Sequence, residues 1–443
     1  MIESIFHVRA SGSTVRREAF AGLTTFLTMA YIIFLNPAIL SMAGMDFGSV
    51  MVATCLVAAF GTLMMAFLAN YPIALAPGMG ENFFLVTAVL GMGITWQQGL
   101  GAVFLAGFIF LILSILRVRE MILDGVPDPL KHGIAAGIGL FIVLMGLVNG
   151  GIVVRHPIGP VVPVALGDLR GPAVQTALSG LLVTAVLAAR RLPGAILIGM
   201  VATAVFGLIR GVVQYEGIVG PPPSLRPTFL QMDLGSLLDP ALWPVVLIFL
   251  FMGAFDAIGT LIGVGQQGGF LKEGKLPKAT RALCTDAAAS MVGAALGTSD
   301  VTEYVESAAG VQAGGRTGLA NVVTAGLFFF AIFLGPLVEM IGGGYEIAKG
   351  ALLYPVTAPA LILVGCLMAR GFAHIPWDDP APAIPAFLIA VGIPLTYSIA
   401  EGLAFGFISY PIVMLLAGRG REVKPLAYVL GVLFLLRYVL LAK

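Results

Sequence analysis

The chain has 443 residues, 59% of them hydrophobic and only 11% charged, with a mean hydropathy of +1.01. Soluble globular proteins carry about 25% charged residues, so this is not the composition of a water-soluble enzyme, and it leaves no room for a separate cytosolic domain. Apolar runs of about 20 residues recur from end to end and mark a polytopic membrane protein. The net charge of +1 arises from basic residues spread over short loops, which argues against nucleic acid as a partner.

Residues 1–20 are polar and charged and lack an apolar h-region, so they read as a cytoplasmic segment rather than a cleaved signal peptide. Spans are predicted at 21–43, 49–69, 98–116, 132–150, 172–190, 193–214, 242–264, 281–297, 317–342, 350–370 and 425–442. The segments 72–91 and 298–312 are too short or too interrupted for plain spanning helices. Between 383 and 418 the apolar stretch splits around Tyr397 and Ser398, as one broken span or a hairpin of two. The total is about 14 spans.

Arg9, Arg16 and Arg17 precede the first span. Arg117, Arg119 and Lys131, then Arg190 and Arg191, then Lys272, Lys275, Lys278 and Arg281 fall on the same side if the N-terminus is cytoplasmic. The loop 215–241 holds only Arg226 and falls on the other side, as the positive-inside rule requires. The cluster Arg419, Arg421 and Lys424 takes its side from the folding of 383–418.

A shift of about 229 residues lays Cys55 on Cys284 and ANYPIALAPGMGEN on TSDVTEYVESAAG. In both copies an apolar span gives way to a short extended segment and then to a Gly- and Ala-rich helix start. Seven spans per half is odd, so the halves, 21–225 and 226–443, are predicted to be inverted repeats. Transporters of that design bind solutes near the midplane between discontinuous helices.

Carboxylates concentrate in the second half. Asp256 lies fifteen residues into an apolar run that begins at Ala241, roughly 20 Å along a helix and too deep to snorkel to water. Asp286 lies among small residues suited to tight helix packing, where a structural hydrogen bond is an equal reading. Asp300, Glu303 and Glu306 follow in GTSDVTEYVESAAGV. An ionised carboxylate at bilayer depth costs about 3 kcal/mol or more, so such a cluster points to a polar site inside the membrane. Glu306 matches Pro77 in the repeat and sits at a half-helix start, as site carboxylate or as cap. Asp300 and Glu303 alternate with apolar residues, as on a short strand with one polar face, and water is their alternative setting. In the first repeat Pro72 and Pro77 block helix formation, and Gly78 and Gly80 permit close backbone approach. A helix beginning near Pro77 puts Glu81 and Asn82 in its first turn.

His7, His132, His156 and His374 lie in loops or at span ends, so a buried histidine relay is not indicated. Cys55, Cys284 and Cys366 show no paired spacing, so neither a disulfide framework nor a metal site is expected. No nucleophile–base pair or metal triad marks an enzyme. Acceptors joined by one amide suit a neutral, planar, N–H-rich solute better than an anion.

The segments REAFAGLTTFLTMAYIIFLNP, ALAPGMGENFF, FDAIGTLIGV, GKLPKA and YVESAAGVQAGGRTGL resemble the AzgA-like purine permeases of the nucleobase–cation symporter-2 superfamily, from about Arg17 to the C-terminus. The resemblance implies a proton-coupled importer of adenine, guanine or hypoxanthine in the plasma membrane, with no cofactor. Uracil or xanthine transport and anion transport on the same fold are the alternatives. It also implies a core domain (about 21–116 and 242–342), a gate domain (about 132–214 and 350–442) and elevator-like movement. Dimeric assembly is common among the family's better-known relatives.

Residue by residue, the family's binding asparagine falls on Asn82, its aspartate on Asp256 and its glutamate on Glu306. Backbone N–H groups around Gly80 and Ser307 would meet base acceptors, and Phe83, Phe255 and Tyr304 are candidates for stacking. The proton is expected on Asp256 or Glu306. Glu81 stands where the family usually has an apolar residue, and Asp300 and Glu303 stand in its Ser/Thr-rich run, so they are expected to modify the site.

Overall fold

The computed structural model describes residues 2–116, 126–156, 164–271, 276–348 and 351–441. Arg117, Arg119, Lys272 and Lys275 lie outside the described residues. Two compact units are present, one from Met1–Arg117 with Val148–Ala360, the other from Val118–Leu147 with Leu361–Lys443. Among the described residues, eight helical stretches are long and apolar enough to cross a membrane, and five more apolar helices are shorter.

In the first unit a short helix α1 (Ile2–Phe6) precedes α2 (Val15–Met29), which Thr14 caps by accepting the Arg17 N–H. The expected first span is broken: α3 (Ile32–Leu40) begins after a joint at Ala30 and Tyr31. Asp46 caps α4 (Phe47–Met64), accepting from the Ser49 N–H at 2.8 Å. A wide helical turn over Met65–Ala69 then ends at Asn70, which takes a left-handed φ of +56°. The strand β1 (Leu75–Pro77) leads into α5 (Met79–Met92), and a Thr95–Gln98 capping box starts α6 (Trp96–Ile115).

After α7 (Asp128–Asn149) come an unanticipated hairpin of β2 (Val153–Arg155) and β3 (Val164–Leu166), then α8 (Pro172–Ala189) and α9 (Ala195–Ile209). These two helices, which the resemblance implies for a gate, fall with the larger unit. The second half follows with α10 (Trp243–Gly268), α11 (Ala279–Leu296), β4 (Val301–Glu303), α12 (Ser307–Gln312), α13 (Gly318–Ala331) and α14 (Gly335–Gly342). A second unanticipated hairpin, β5 (Tyr345–Ala348) and β6 (Ala351–Leu353), occupies the start of the expected 350–370 span, and α15 (Ala358–Met368) carries the rest.

In the other unit, 383–418 is a hairpin of two helices, α16 (Pro380–Thr396) and α17 (Ile399–Leu416). Tyr397 turns the chain with φ +54°, a conformation that costs a non-glycine residue about 1 kcal/mol. Ser398 then caps α17 by accepting the Glu401 N–H. The last helix, α18 (Pro425–Leu441), follows. Arg419 bonds Asp379 at 2.6 Å and Glu422 at 2.7 Å, and holds both carboxyls below the usual range.

The repeat has a hydrogen-bond signature. The Thr62 hydroxyl on α4 bonds both the N–H (3.0 Å) and the C=O (3.1 Å) of Leu75, the first residue of β1. The Ser290 hydroxyl on α11 does the same for Val301, the first residue of β4, at 3.1 and 2.9 Å. Each hydroxyl satisfies two backbone groups where the three-residue ladder begins. Thr62→Val or Ser290→Ala is therefore expected to cost about 2 kcal/mol, read as a lower midpoint of thermal unfolding in detergent. A variant that melts with the parent would show the ladder holds itself.

Candidate functional site

Strands β1 and β4 pair antiparallel, with Leu75 opposite Glu303, Ala76 opposite Thr302 and Pro77 opposite Val301. Two further backbone bonds extend the ladder, Gly78 N–H to Asp300 C=O and Tyr304 N–H to Ala74 C=O, each 2.9 Å. Because the strands run oppositely, α5 and α12 start at opposite ends of this ladder, and the first N–H groups of α12, on Ser307, Ala308 and Ala309, are already bonded to the C=O groups of Tyr304, Val305 and Glu306 at 3.0 Å each rather than open to a solute. The start of α5 sits slightly later than the sequence suggested, whereas that of α12 falls at Glu306 as expected. Gly78 is the N-cap of α5 and Glu306 that of α12. The structural counterpart of Glu306 is thus Gly78, and Pro77 belongs to the strand.

Glu306 makes no capping bond with its side chain. Its carboxylate instead accepts the Tyr31 hydroxyl at 2.6 Å, and its backbone C=O accepts the Thr28 hydroxyl at 3.3 Å. Tyr31 stands at the joint between α2 and α3 and was not anticipated; its only signal was a hydroxyl within an apolar run. Asp256 lies midway along α10, a helix that packs against β4, α5 and α12, and Thr302 stands beside it. Asp256 and Glu306 are close enough to act on each other electrostatically.

Asn82 is fully buried in the first turns of α5. The Ser299 hydroxyl donates to its Oδ1, which leaves the Nδ2 donor with no partner in the protein. A buried donor left open costs about 1–3 kcal/mol, and a bound acceptor would remove that cost.

The other expected residues are distributed as follows. Gly80 is buried beside Asn82, and Phe83 has no exposed surface. The Ser307 hydroxyl accepts the Ala74 N–H at 3.0 Å and so holds the approach to β1. Tyr304 donates its hydroxyl to the Pro77 C=O at 2.6 Å, and its ring lies 6.3 Å from that of Tyr31. The side chain of Phe255 lies outside the described ones.

Asp300 and Glu303 do not face water: they are 6% and 2% exposed, because the strand pair is enclosed on both faces. Glu81 is 2% exposed, and Asp286 is buried on α11. Among the described residues the ion pairs, Lys131–Asp128, Arg419–Asp379 and Arg419–Glu422, all lie in the other unit. No group of three or more His, Cys, Asp or Glu among them could hold a metal ion.

Helices broken in pairs about a buried strand ladder, with acceptors and an open amide donor at the break, are the architecture of a membrane transporter. The model of the permease family matches residues 16–405. Over 99% of its length the chain is 44% identical to the guanine/hypoxanthine permease of Bacillus subtilis, of which it covers 100%. It is 43% identical to the adenine permease of Escherichia coli, over 99% of this chain and 96% of that one. Among solved structures, the transmembrane domain of a cyanobacterium bicarbonate transporter superposes with a TM-score of 0.64 at 14% identity, over 88% of this chain and 97% of that one. The chain belongs to the permease family, in the AzgA-like branch of the nucleobase–cation symporters, and is an integral membrane transporter and not an enzyme.

Proposed function

We propose that the protein imports purine nucleobases (hypoxanthine, guanine or adenine) across the plasma membrane in symport with protons, by elevator-like alternating access. The observation that carries this reading is that Asp256 and Glu306 act on each other beside the strand pair, while the Asn82 amide in the first turns of α5, at the other end of the same ladder, keeps an open donor. The two carboxylates accept from ring and exocyclic N–H groups. Asn82 donates to a ring nitrogen or carbonyl, and the N–H groups at the start of α5 meet a further acceptor. The names of the relatives, adenine and guanine/hypoxanthine permeases, support the same substrate class.

A proton on Asp256 or Glu306 lowers the cost of carrying the site through a low-dielectric barrier, since a bare carboxylate there costs several kcal/mol. Coupling follows when the loaded, neutralised site crosses more readily than the charged, empty one. An anion would be repelled by the carboxylates of Asp256 and Glu306, which favours the neutral base. The distribution of basic loops supports a cytoplasmic N-terminus, and a homodimer is the expected assembly.

The test is uptake of radiolabelled hypoxanthine, guanine, adenine, xanthine and uracil into proteoliposomes with and without an inward proton gradient. Purine uptake stimulated by the gradient is expected. Uptake of xanthine or uracil alone would move the substrate class, and uptake indifferent to the gradient would remove the proton.

A further inference from the structure

The short helix α3 reaches both halves of the site. Tyr31, at its N-cap, donates its hydroxyl to the Glu306 carboxylate. Asn36 follows five residues later, about 7.5 Å along a helix, and is fully buried. Its Nδ2 donates to the Thr54 hydroxyl on α4 at 2.6 Å and to the hydroxyl of Thr298, just after α11, at 2.7 Å. Thr54 is fixed in turn, because its own hydroxyl donates to the Val50 C=O at 2.6 Å. Both donors of the Asn36 amide are thus engaged, whereas its Oδ1 has no hydrogen-bond partner in the protein. A buried acceptor left open is costly, so stability alone would not select this amide. What it provides is a tie between three segments.

One of the tied segments leads straight to Asn82. Thr298 is fastened to α11 by its N–H, which donates to the Gly293 C=O at 2.9 Å, and to α3 by its hydroxyl. The next residue, Ser299, donates its hydroxyl to Asn82 Oδ1. Thr298, Ser299 and Asn82 have no exposed surface, so each takes its orientation from the protein rather than from bulk water. The serine bond decides how the Asn82 amide turns: with Oδ1 held, the open end is the Nδ2 donor. A shift of Thr298 carries Ser299 with it, since the two are joined by one rigid peptide. Released by Ser299, the amide is free to turn over and to present an acceptor where the donor stood.

We propose that Asn36 is a positioning residue for base recognition. Through Thr298 and Ser299 it keeps the Asn82 donor turned to the base, and so sets a preference for purines that carry an acceptor at that point. This rests on the substrate reading above. Asn36 acts through these two residues and not by touching the base. Helix α3 accordingly aligns two unlike contacts from one short element, the Glu306 acceptor through Tyr31 and the Asn82 donor through Asn36. A purine that lacks the matching acceptor leaves the buried donor open and is bound more weakly.

The experiment measures how unlabelled competitors inhibit uptake of radiolabelled hypoxanthine into proteoliposomes. The competitors are hypoxanthine itself, its analogues in which C–H replaces one ring acceptor nitrogen, and unsubstituted purine, which lacks the carbonyl. The parent is expected to bind one of these about tenfold more weakly than hypoxanthine. In Asn36→Leu that ratio is expected to fall to about threefold or less. Ser299→Ala should lose the same preference, and the two changes together should lose no more than either alone. A ratio of inhibition constants is indifferent to loss of folded protein or of transport rate, so a purely structural role would not move it. Where Asn36→Leu does not fold, Thr298→Val removes the same bond from its other side at nearly constant volume and is read in the same way. A ratio that these variants leave unchanged, losses that multiply in the double variant, or a parent that takes up hypoxanthine without preference overturns the proposal and leaves purine uptake standing. A parent that takes up no purine at all overturns the substrate reading itself, and the positioning role with it.

Discussion

Glu306→Gln is expected to lower the efficiency of purine uptake by about a hundredfold or more. The glutamate presents two acceptor oxygens. One accepts the Tyr31 hydroxyl at 2.6 Å, and the other is the acceptor proposed to meet the solute. An amide replaces one acceptor with a donor, so a base N–H would meet N–H, and the bond from Tyr31 would lose its ionic character. Hydrogen bonds to a charged group contribute about 1.5–3 kcal/mol each, and two weakened bonds account for the expected loss. Tyr31→Phe removes only the supporting bond and is expected to cost about tenfold, leaving uptake measurable. Because both changes act on the same bond, the double variant should resemble Glu306→Gln alone. Full-rate uptake by Glu306→Gln would remove this residue from the site.

Asn321→Leu is expected to cost about 3 kcal/mol or more of stability. Its Nδ2 donates to the backbone carbonyls of Ile73 (2.7 Å), Tyr71 (3.1 Å) and Thr62 (3.4 Å). Residues 71–73 run buried and irregular, with a bend at Pro72, toward β1, before the strand ladder can satisfy them. One amide on α13 therefore stands in for the missing secondary structure. A leucine fills the volume and leaves buried carbonyls without a donor. Asn321→Asp should be worse than Leu, since it turns acceptor oxygens toward three other acceptors. The midpoint of thermal unfolding in detergent measures both, and a Leu variant that melts with the parent would show that the segment is held by packing instead. Because β1 leads directly to α5, loosened base binding should accompany the lost stability.

Asn82, Asp256 and Glu306 stand out in the sequence because each contradicts its surroundings: a buried amide or carboxylate in an apolar stretch is costly enough to be noticed. The two interrupted segments were legible for the same kind of reason, since Pro72 and Pro77 cannot continue a helix and the acidic run cannot lie in lipid. Tyr31 carried no such mark. A tyrosine in an apolar run satisfies its hydroxyl in many ways, and only the approach of Glu306, 275 residues away, gives this one its role. The same holds for Ser299 against Asn82 and for Asn321 against the segment before β1.

By itself the sequence determined what each segment must be: apolar stretches that cross a membrane, two that break within it, and polar groups too costly to be incidental. Tertiary structure alone decided which of those groups meet. It chose the register of β1 on β4 and the N-caps at Gly78 and Glu306. It settled 383–418 as a hairpin, and it enclosed Asp300 and Glu303 rather than wetting them. The reason is physical. Helix formation and the avoidance of lipid by polar groups act over a few neighbouring residues, whereas the pairing of a three-residue strand with another more than two hundred residues distant leaves almost no local trace.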